Sequence, residues 1–251
     1  MRAVERAGYL AHSQRPAFAR RVNAALALVE RMFEQAPRAY VAFSGGKDSS
    51  VVLHLVRRIR PETMAHYGHE QWVFPETEAL IAATPNLVQT ALPDRHAEWF
   101  SVWQDPSEVP EGVIYVDPAK GLTEWNYGHE LLGGDGTFLG LRAEENSERR
   151  LHLKRHGPLF YCHRHGLWEC NPIHNWSVID VWAYIVANHV PYNAAYDRLG
   201  AMGVPLQYQR IGPLAQGRVL AWGGQMSKLK RGWPELFNRF AAAFPEALDY
   251  L

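Results

Sequence analysis

Cysteine is nearly absent: the 251 residues contain two, Cys162 and Cys170. A secreted fold framed by disulfides is therefore excluded. Charge of one sign is missing too. Twenty-six basic and 26 acidic residues leave a formal net charge of zero, which argues against coating nucleic acid or membrane by bulk charge. No apolar run approaches the roughly 18 residues of a spanning helix. Residues 1–22 carry Arg2, Arg6, Arg15, Arg20 and Arg21 without an apolar stretch and do not read as a secretory signal. An organellar transit peptide stays open beside the expected cytoplasmic location. Lysine is scarce, because 21 of the 26 basic residues are arginine. Codon bias in a GC-rich genome explains that, and so does selection for bidentate anion contacts. What remains is ordinary for a globular chain, with 47% hydrophobic and 21% charged residues.

Residues 1–37 read as a polar, irregular arm (1–19) followed by a helix over Arg20–Glu34, whose Val22, Leu26, Val29 and Phe33 share one face. Residues 38–200 alternate between short apolar runs and helical periodicity. Strands are expected at Ala39–Phe43, Thr63–Tyr67, Leu87–Ala91, Gly112–Val116 and Thr137–Arg142. Helices are expected at Ser49–Ile59, Glu76–Ala83 and Asp94–Val102. That alternation predicts an α/β fold: a Rossmann-like, mainly parallel sheet of five or six strands with helices on both faces. Phe160–Cys170 reads as a hairpin around Gly166, and Ser177 with Asp180 opens a capped helix. Residues 201–251 form a helical C-terminal tail: an irregular stretch over 203–226, then a helix opened by Pro234 with Leu236, Phe240 and Phe244 inward.

The most informative stretch is Ser44-Gly45-Gly46-Lys47-Asp48-Ser49, between the first strand and its helix. Two glycines let the backbone turn tightly against a ligand. The helix directs unpaired N–H groups and a partial positive charge into that turn, which suits phosphate. Lys47 and the hydroxyls of Ser44 and Ser49 add donors. Asp48 fits beside phosphate as a ligand to nucleotide-bound magnesium. A Walker loop is excluded, because Val41 stands in its first glycine position and Asp48 follows the lysine. The string Gly134-Asp135-Gly136 with Gly140 precedes a strand, so it is no dinucleotide fingerprint.

These residues resemble the PP-loop of the adenine nucleotide α-hydrolase superfamily, with its Ser-Gly-Gly-x-Asp-Ser signature. Within it the chain resembles the phosphoadenosine phosphosulfate (PAPS) reductase branch, which includes the ATP sulfurylase small subunit. Phe74-Pro75-Glu76-Thr77, Gly140-Leu141-Arg142-Ala143-Glu144-Glu145 with Arg149 and Arg150, and Pro172-Ile173-His174-Asn175-Trp176-Ser177 through Asp180-Val181-Trp182 carry the likeness, and Tyr196-Asp197 follows. The resemblance implies an enzyme that binds ATP or PAPS with Mg2+ through Ser44, Gly45, Gly46, Lys47, Asp48, Ser49, Gly68, Gly140, Arg142, Arg149 and Arg150. Lys47, Asp48 and Arg142 would be catalytic, and a small anionic acceptor such as sulfate would take part. Two departures stand out. The family's Asp-Thr-Gly after strand two is His66-Tyr67-Gly68 here, and its reductases' catalytic cysteine near the C-terminus has no counterpart after Cys170. Reduction would then draw its thiol from Cys162, Cys170, a protein partner or another thiol donor.

Arg142, Arg149, Arg150, Lys154, Arg155 and Arg164 concentrate arginine beyond codon bias. If Gly140–Arg142 ends a strand at the sheet's carboxyl edge, Arg142 faces the same crevice as the loop. Glu144, Glu145 and Glu148 offer the plainer account of Arg149 and Arg150, an i,i+4 salt-bridged helix surface. Cys162, His165, Cys170 and His174 follow C-x2-H-x4-C-x3-H, a donor set compatible with tetrahedral zinc. The hairpin reading instead packs Cys162 opposite Cys170 as small apolar residues, and a redox pair is a third alternative. A non-catalytic nucleotide-binding subunit, or one acting in nucleic-acid modification, also stays open. Arg210, Arg218, Lys228, Lys230 and Arg231 with Trp222 and Trp233 give the tail a basic-aromatic character.

Overall fold

The apolar run at 39–43 forms β1 (Tyr40–Ala42), and the sheet is arranged outward from it on both sides. The computed structural model describes residues 1–69, 71–91, 107, 109–115, 129–212, 214 and 224–251, with the side chain of Tyr250 excepted. On one side of β1 lie β2 (Ala65–His69), β3 (Leu87–Ala91) and β4 (Val113–Tyr115). On the other lie β5 (Gly136–Phe138), then the hairpin of β6 (Leu159–Cys162) and β7 (Leu167–Cys170), giving the order β4-β3-β2-β1-β5-β7-β6. Every neighbouring pair is parallel except β6–β7. The sheet is thus the mainly parallel one expected. Among the described residues it has seven strands where five or six were expected, because the hairpin adds an antiparallel pair turned at Gly166, φ +68.

Around the sheet run α1 (Ala3–Ser13), α2 (Pro16–Gln35), α3 (Lys47–Ile59), α4 (Pro75–Ala82) and α5 (Ser147–His156). Later in the chain come α6 (Val178–Ala187), α7 (Ala195–Ala201), α8 (Gln225–Gly232) and α9 (Pro234–Ala243). The capping box expected at Ser177 and Asp180 is present, and Pro234 opens α9 with Leu236 and Phe240 buried. No described helix is long and apolar enough to cross a membrane.

Local signals fail at three places. The arm expected over 1–19 is helical: α1 has no fully buried residue of its own and is held by α6, with Tyr9 stacked on Trp182 at 6.2 Å and His12 Nε2 2.8 Å from Asp180 Oδ1. The strand expected over Thr137–Arg142 stops at Phe138. The irregular stretch over 203–226 contains a short 3-10 turn at Leu206–Tyr208 and the start of α8. The helix expected over Asp94–Val102 and the strand end at Val116 lie outside the described residues.

Strand period two sorts the two sheet faces. Val41, Phe138 and Cys170 are in register and point toward α2, where Phe33 meets Phe138 at 5.3 Å and Cys170 Sγ lies 3.8 Å from the Leu28 carbonyl. Tyr40, Thr137 and Glu169 form the adjacent register row and point the other way. Leu28, Val29, Met32, Val51, Val52, Leu55, Val56, Val181 and Ile185 are buried between α2, α3, α6 and the sheet, each contributing about 1.5–3 kcal/mol. The helix comes so close that a Cβ on Gly136 would lie 2.3 Å from Met32 Cε. A second cluster joins Phe74, Leu199, Met226, Leu229, Trp233 and Phe240.

Candidate nucleotide site

The chain leaves β1 toward β2 on one side and returns to β5 on the other, so the carboxyl ends of β1 and β5 form a switch point. Open α/β sheets place ligands there. Ser44–Ser49 follows β1 directly, and Gly140–Arg142 follows β5. Gly45 has φ +70, a conformation glycine adopts freely. Gly46, the N-cap of α3, brings no side-chain cap to the helix's first turn. Ser49 Oγ donates to the Gly46 carbonyl at 3.0 Å and accepts the Ser44 N–H at 3.2 Å, fixing the loop from within. Gly68, beyond the last β1–β2 register pair (Ala42 with His66), lies at the same carboxyl edge.

The separate resemblance segments meet at this loop. A Cβ on Gly45 would come 3.2 Å from Thr77 Cγ2, and Thr77 Oγ1 accepts a bond from Asn193 Nδ2 at 2.7 Å. A Cβ on Gly140 would lie 3.1 Å from both the Asp48 carbonyl carbon and the Ser49 nitrogen, so glycine permits the two segments to touch. Tyr196, on α7, accepts the Lys47 N–H on its hydroxyl at 3.2 Å. The resemblance segment contains Tyr196, but nothing in the sequence alone points to this role.

Charge is arranged around Asp48. Arg142 Nε donates to its Oδ1 at 2.7 Å, and Lys47 Nζ donates to its Oδ2 at 2.9 Å. Arg142 Nη1 donates to Glu144 Oε2 at 2.7 Å, and that same oxygen accepts the Val178 N–H that opens α6. Burial disfavours the charged form of Lys47, but Tyr196 and Asp48 outweigh it and raise its pKa. Burial likewise opposes Arg142, and Asp48, Glu144 and Glu145 outweigh it. Both cations are therefore fixed as charged.

Both Asp48 oxygens face cations in this arrangement. Magnesium is held by one or two carboxylates together with substrate phosphates, so Asp48 would hold it only alongside a bound nucleotide. Arg142 does join the loop, but its side chain is 4% exposed with Nε and Nη1 engaged. Its guanidinium thus links Asp48 to Glu144.

Arg149 and Arg150 are engaged locally. Arg149 ion-pairs with Glu145 four residues earlier, and Arg150 Nε donates to the Ala143 carbonyl at 3.3 Å. His66, standing where the family has an acid, is buried 2.8 Å from Thr90 Oγ1, and burial pushes its pKa down to about 4. In the tail, Trp233 is buried with Nε1 2.8 Å from Glu76 Oε2, so it offers no stacking platform; Arg218 and Trp222 lie outside the described residues.

The four-residue Cys/His set is not assembled. Cys162 pairs with Leu167 in the hairpin and Cys170 with Leu159, so the cysteines are not opposite each other. They also point to opposite faces, which excludes a disulfide and a shared ligand shell. Cys170 is fully buried on the α2 side, and burial raises its thiol pKa, leaving it inert. His174 follows β7, and burial lowers its pKa. Cys162 stands at the amino edge, about 20 Å from the loop by strand spacing and rise. Neither thiol can reach a nucleotide held at the carboxyl edge. Sequence reasoning misses Glu169, although strand period two would have suggested its place beside His165; its Oε1 is 2.9 Å from His165 Nδ1.

The family model described as "Phosphoadenosine phosphosulfate reductase domain" matches residues 38–216. Phosphoadenosine 5'-phosphosulfate reductase of Serratia proteamaculans is 27% identical over 177 residues, 68% of this chain and 70% of that protein. An uncharacterized protein of Methanocaldococcus jannaschii is 25% identical over 86% of this chain, which spans 43% of that protein. Among solved structures, the PAPS reductase of Candida auris in a phosphate complex has a TM-score of 0.51 at 22% identity, covering 76% of this chain and 88% of that one. FMN adenylyltransferase of Candida glabrata with ATP also scores 0.51, at 15% identity, covering 76% of this chain and 64% of that one. These two likenesses establish a shared fold.

Proposed function

This chain belongs to the phosphoadenosine phosphosulfate reductase domain family, and from that premise we propose that it binds an adenine nucleotide at Ser44–Ser49 and acts at the α-phosphate, releasing pyrophosphate. One observation carries the choice over thiol reduction: the chain's two cysteines both lie away from the crevice.

The first turn of α3, to which Gly46 brings no side-chain cap, and the Lys47 ammonium hold the terminal phosphates. Asp48 holds Lys47 in place and Arg142 holds Asp48. With its terminal phosphates anchored at the helix N-terminus, the nucleotide presents its α-phosphorus to the crevice. A nucleophile such as the oxygen of an anionic acceptor attacks in line, and the α–β bond breaks as pyrophosphate leaves. An acceptor oxygen becomes adenylylated; water in its place gives AMP. The Candida glabrata FMN adenylyltransferase, solved in complex with ATP, shares this fold, so the chemistry is compatible with the architecture. Reduction of PAPS by this chain would need a thiol brought by a partner.

The test is nucleotide chromatography after incubation with ATP, with and without magnesium, sulfate and other anionic acceptors. Pyrophosphate together with AMP or an adenylylated acceptor is expected. ADP and orthophosphate as the main products overturn the mechanism. Sulfite released from PAPS by a cysteine-free variant with added thiol would assign reduction to an external thiol.

A further inference from the structure

We propose that Cys162, His165 and Glu169 form a binding site for a zinc-class divalent metal at the tip of the β6–β7 hairpin, separate from the nucleotide crevice. Cys162 Sγ lies 3.3 Å from His165 Nδ1, which lies 2.9 Å from Glu169 Oε1. The three ligand atoms fall within 4.8 Å of one another. Zinc bonds of about 2.0–2.3 Å place tetrahedral ligands about 3.4–3.6 Å apart, so the Cys162–His165 and His165–Glu169 separations each lie within about half an ångström of that spacing.

The hairpin's register builds this cluster. Cys162 opposes Leu167 and Phe160 opposes Glu169, so Cys162 and Glu169 are diagonal neighbours on one face. The turn between the strands is held by the His165 and Gly166 N–H groups, both donating to the Cys162 carbonyl at 3.1 and 2.8 Å. That places His165 between the other two ligands. Glu169 is 5% exposed, and among the described residues no lysine or arginine pairs with it. A buried carboxylate without such a partner favours a bound cation. One thiolate, one imidazole and one carboxylate suit zinc, whereas magnesium and calcium select oxygen donors. Binding sends the thiol proton to solvent and leaves one coordination position for water. Among the described residues β6 is the terminal strand of the sheet, so the metal would clip that edge closed.

The test uses the full chain loaded with cobalt(II), which replaces zinc and reports its ligands by absorption. One cobalt per chain with a thiolate-to-cobalt charge-transfer band is expected, lost in Cys162→Ser, weakened in Glu169→Gln and retained in Cys170→Ser. Stabilisation by ATP should be the same in Cys162→Ser as in wild type. If Cys162→Ser does not fold, alkylation of the wild-type protein read by peptide mass spectrometry replaces it: zinc should protect Cys162. No charge-transfer band in wild type, a band that survives Cys162→Ser, or unchanged alkylation with zinc overturns the site.

Discussion

Arg142 Nε donates to Asp48 Oδ1 at 2.7 Å, across 94 residues of sequence. One partner follows β5 and the other opens α3 after β1, so this bond closes the crevice at the switch point. It also places Lys47, the partner of Asp48 Oδ2, beside the loop's N–H groups.

Removing Asp48 should loosen both cations. Asp48→Ala is expected to cost about 1.5–3 kcal/mol of stability, the range for a charge-assisted bond, read by urea unfolding. Magnesium should change the ATP-induced rise in Tm equally in wild type and Asp48→Ala. A magnesium effect present only in wild type would assign Asp48 as a metal ligand.

Lys47→Ala should weaken ATP or PAPS binding by about 10–100-fold, through the loss of one charged phosphate contact, as measured by calorimetry. Arg142→Lys keeps the charge but not the planar fork. It should lower turnover more than affinity, a split visible as a fall in kcat with little change in KM.

Gly140→Ala tests the close approach of the two segments. Its Cβ would meet backbone atoms of Asp48 and Ser49 at 3.1 Å, and backbone gives way less easily than a flexible side chain. A loss of about 1–3 kcal/mol is expected, together with weaker nucleotide binding. Gly157→Ala, where no described atom lies within 4 Å but φ is +76, should lose stability from backbone strain while binding nucleotide normally.

Replacing both cysteines, Cys162→Ser with Cys170→Ala, should leave nucleotide turnover intact. Loss of turnover in a folded double variant, with far-ultraviolet circular dichroism unchanged, would return a cysteine to the chemistry.

Asp180 governs acid stability. Burial would raise its pKa, but His12, Ser177 and Arg21 outweigh burial and lower it. A carboxyl with a lowered folded pKa stabilises above its unfolded value near 4 and loses that contribution as pH falls through the folded value. Asp180→Asn should therefore be about 2–4 kcal/mol less stable at pH 7. The gap to wild type should shrink below about pH 4, followed by tryptophan fluorescence in urea.

Much of this is legible in the sequence because it is local. The apolar run before Ser44-Gly45-Gly46, the box at Ser177 and Asp180, and the alternation into βαβ units all act within a few residues. What escapes depends on contacts between distant segments. α1 is held by Asp180 and Trp182 from α6, and nothing in its own periodicity announces them. The loop's composition marks Lys47 as a residue near phosphate, but not that Asp48 spends both its oxygens on cations. The Cys/His spacing suggests four ligands, and strand period two, applied through Leu167–Cys170, divides them between faces and substitutes Glu169.

Because β1 pairs with β2 on one side and β5 on the other, the order of synthesis matters. A ribosome adding about 5–20 residues per second makes Asp48 some 5–20 s before Arg142. Throughout that interval one edge of β1 has no strand to bond, and an unpaired apolar edge invites intermolecular pairing. Nascent chains that stop before β5 should thus be the aggregation-prone ones, and nucleotide can rescue only chains long enough to have delivered Arg142.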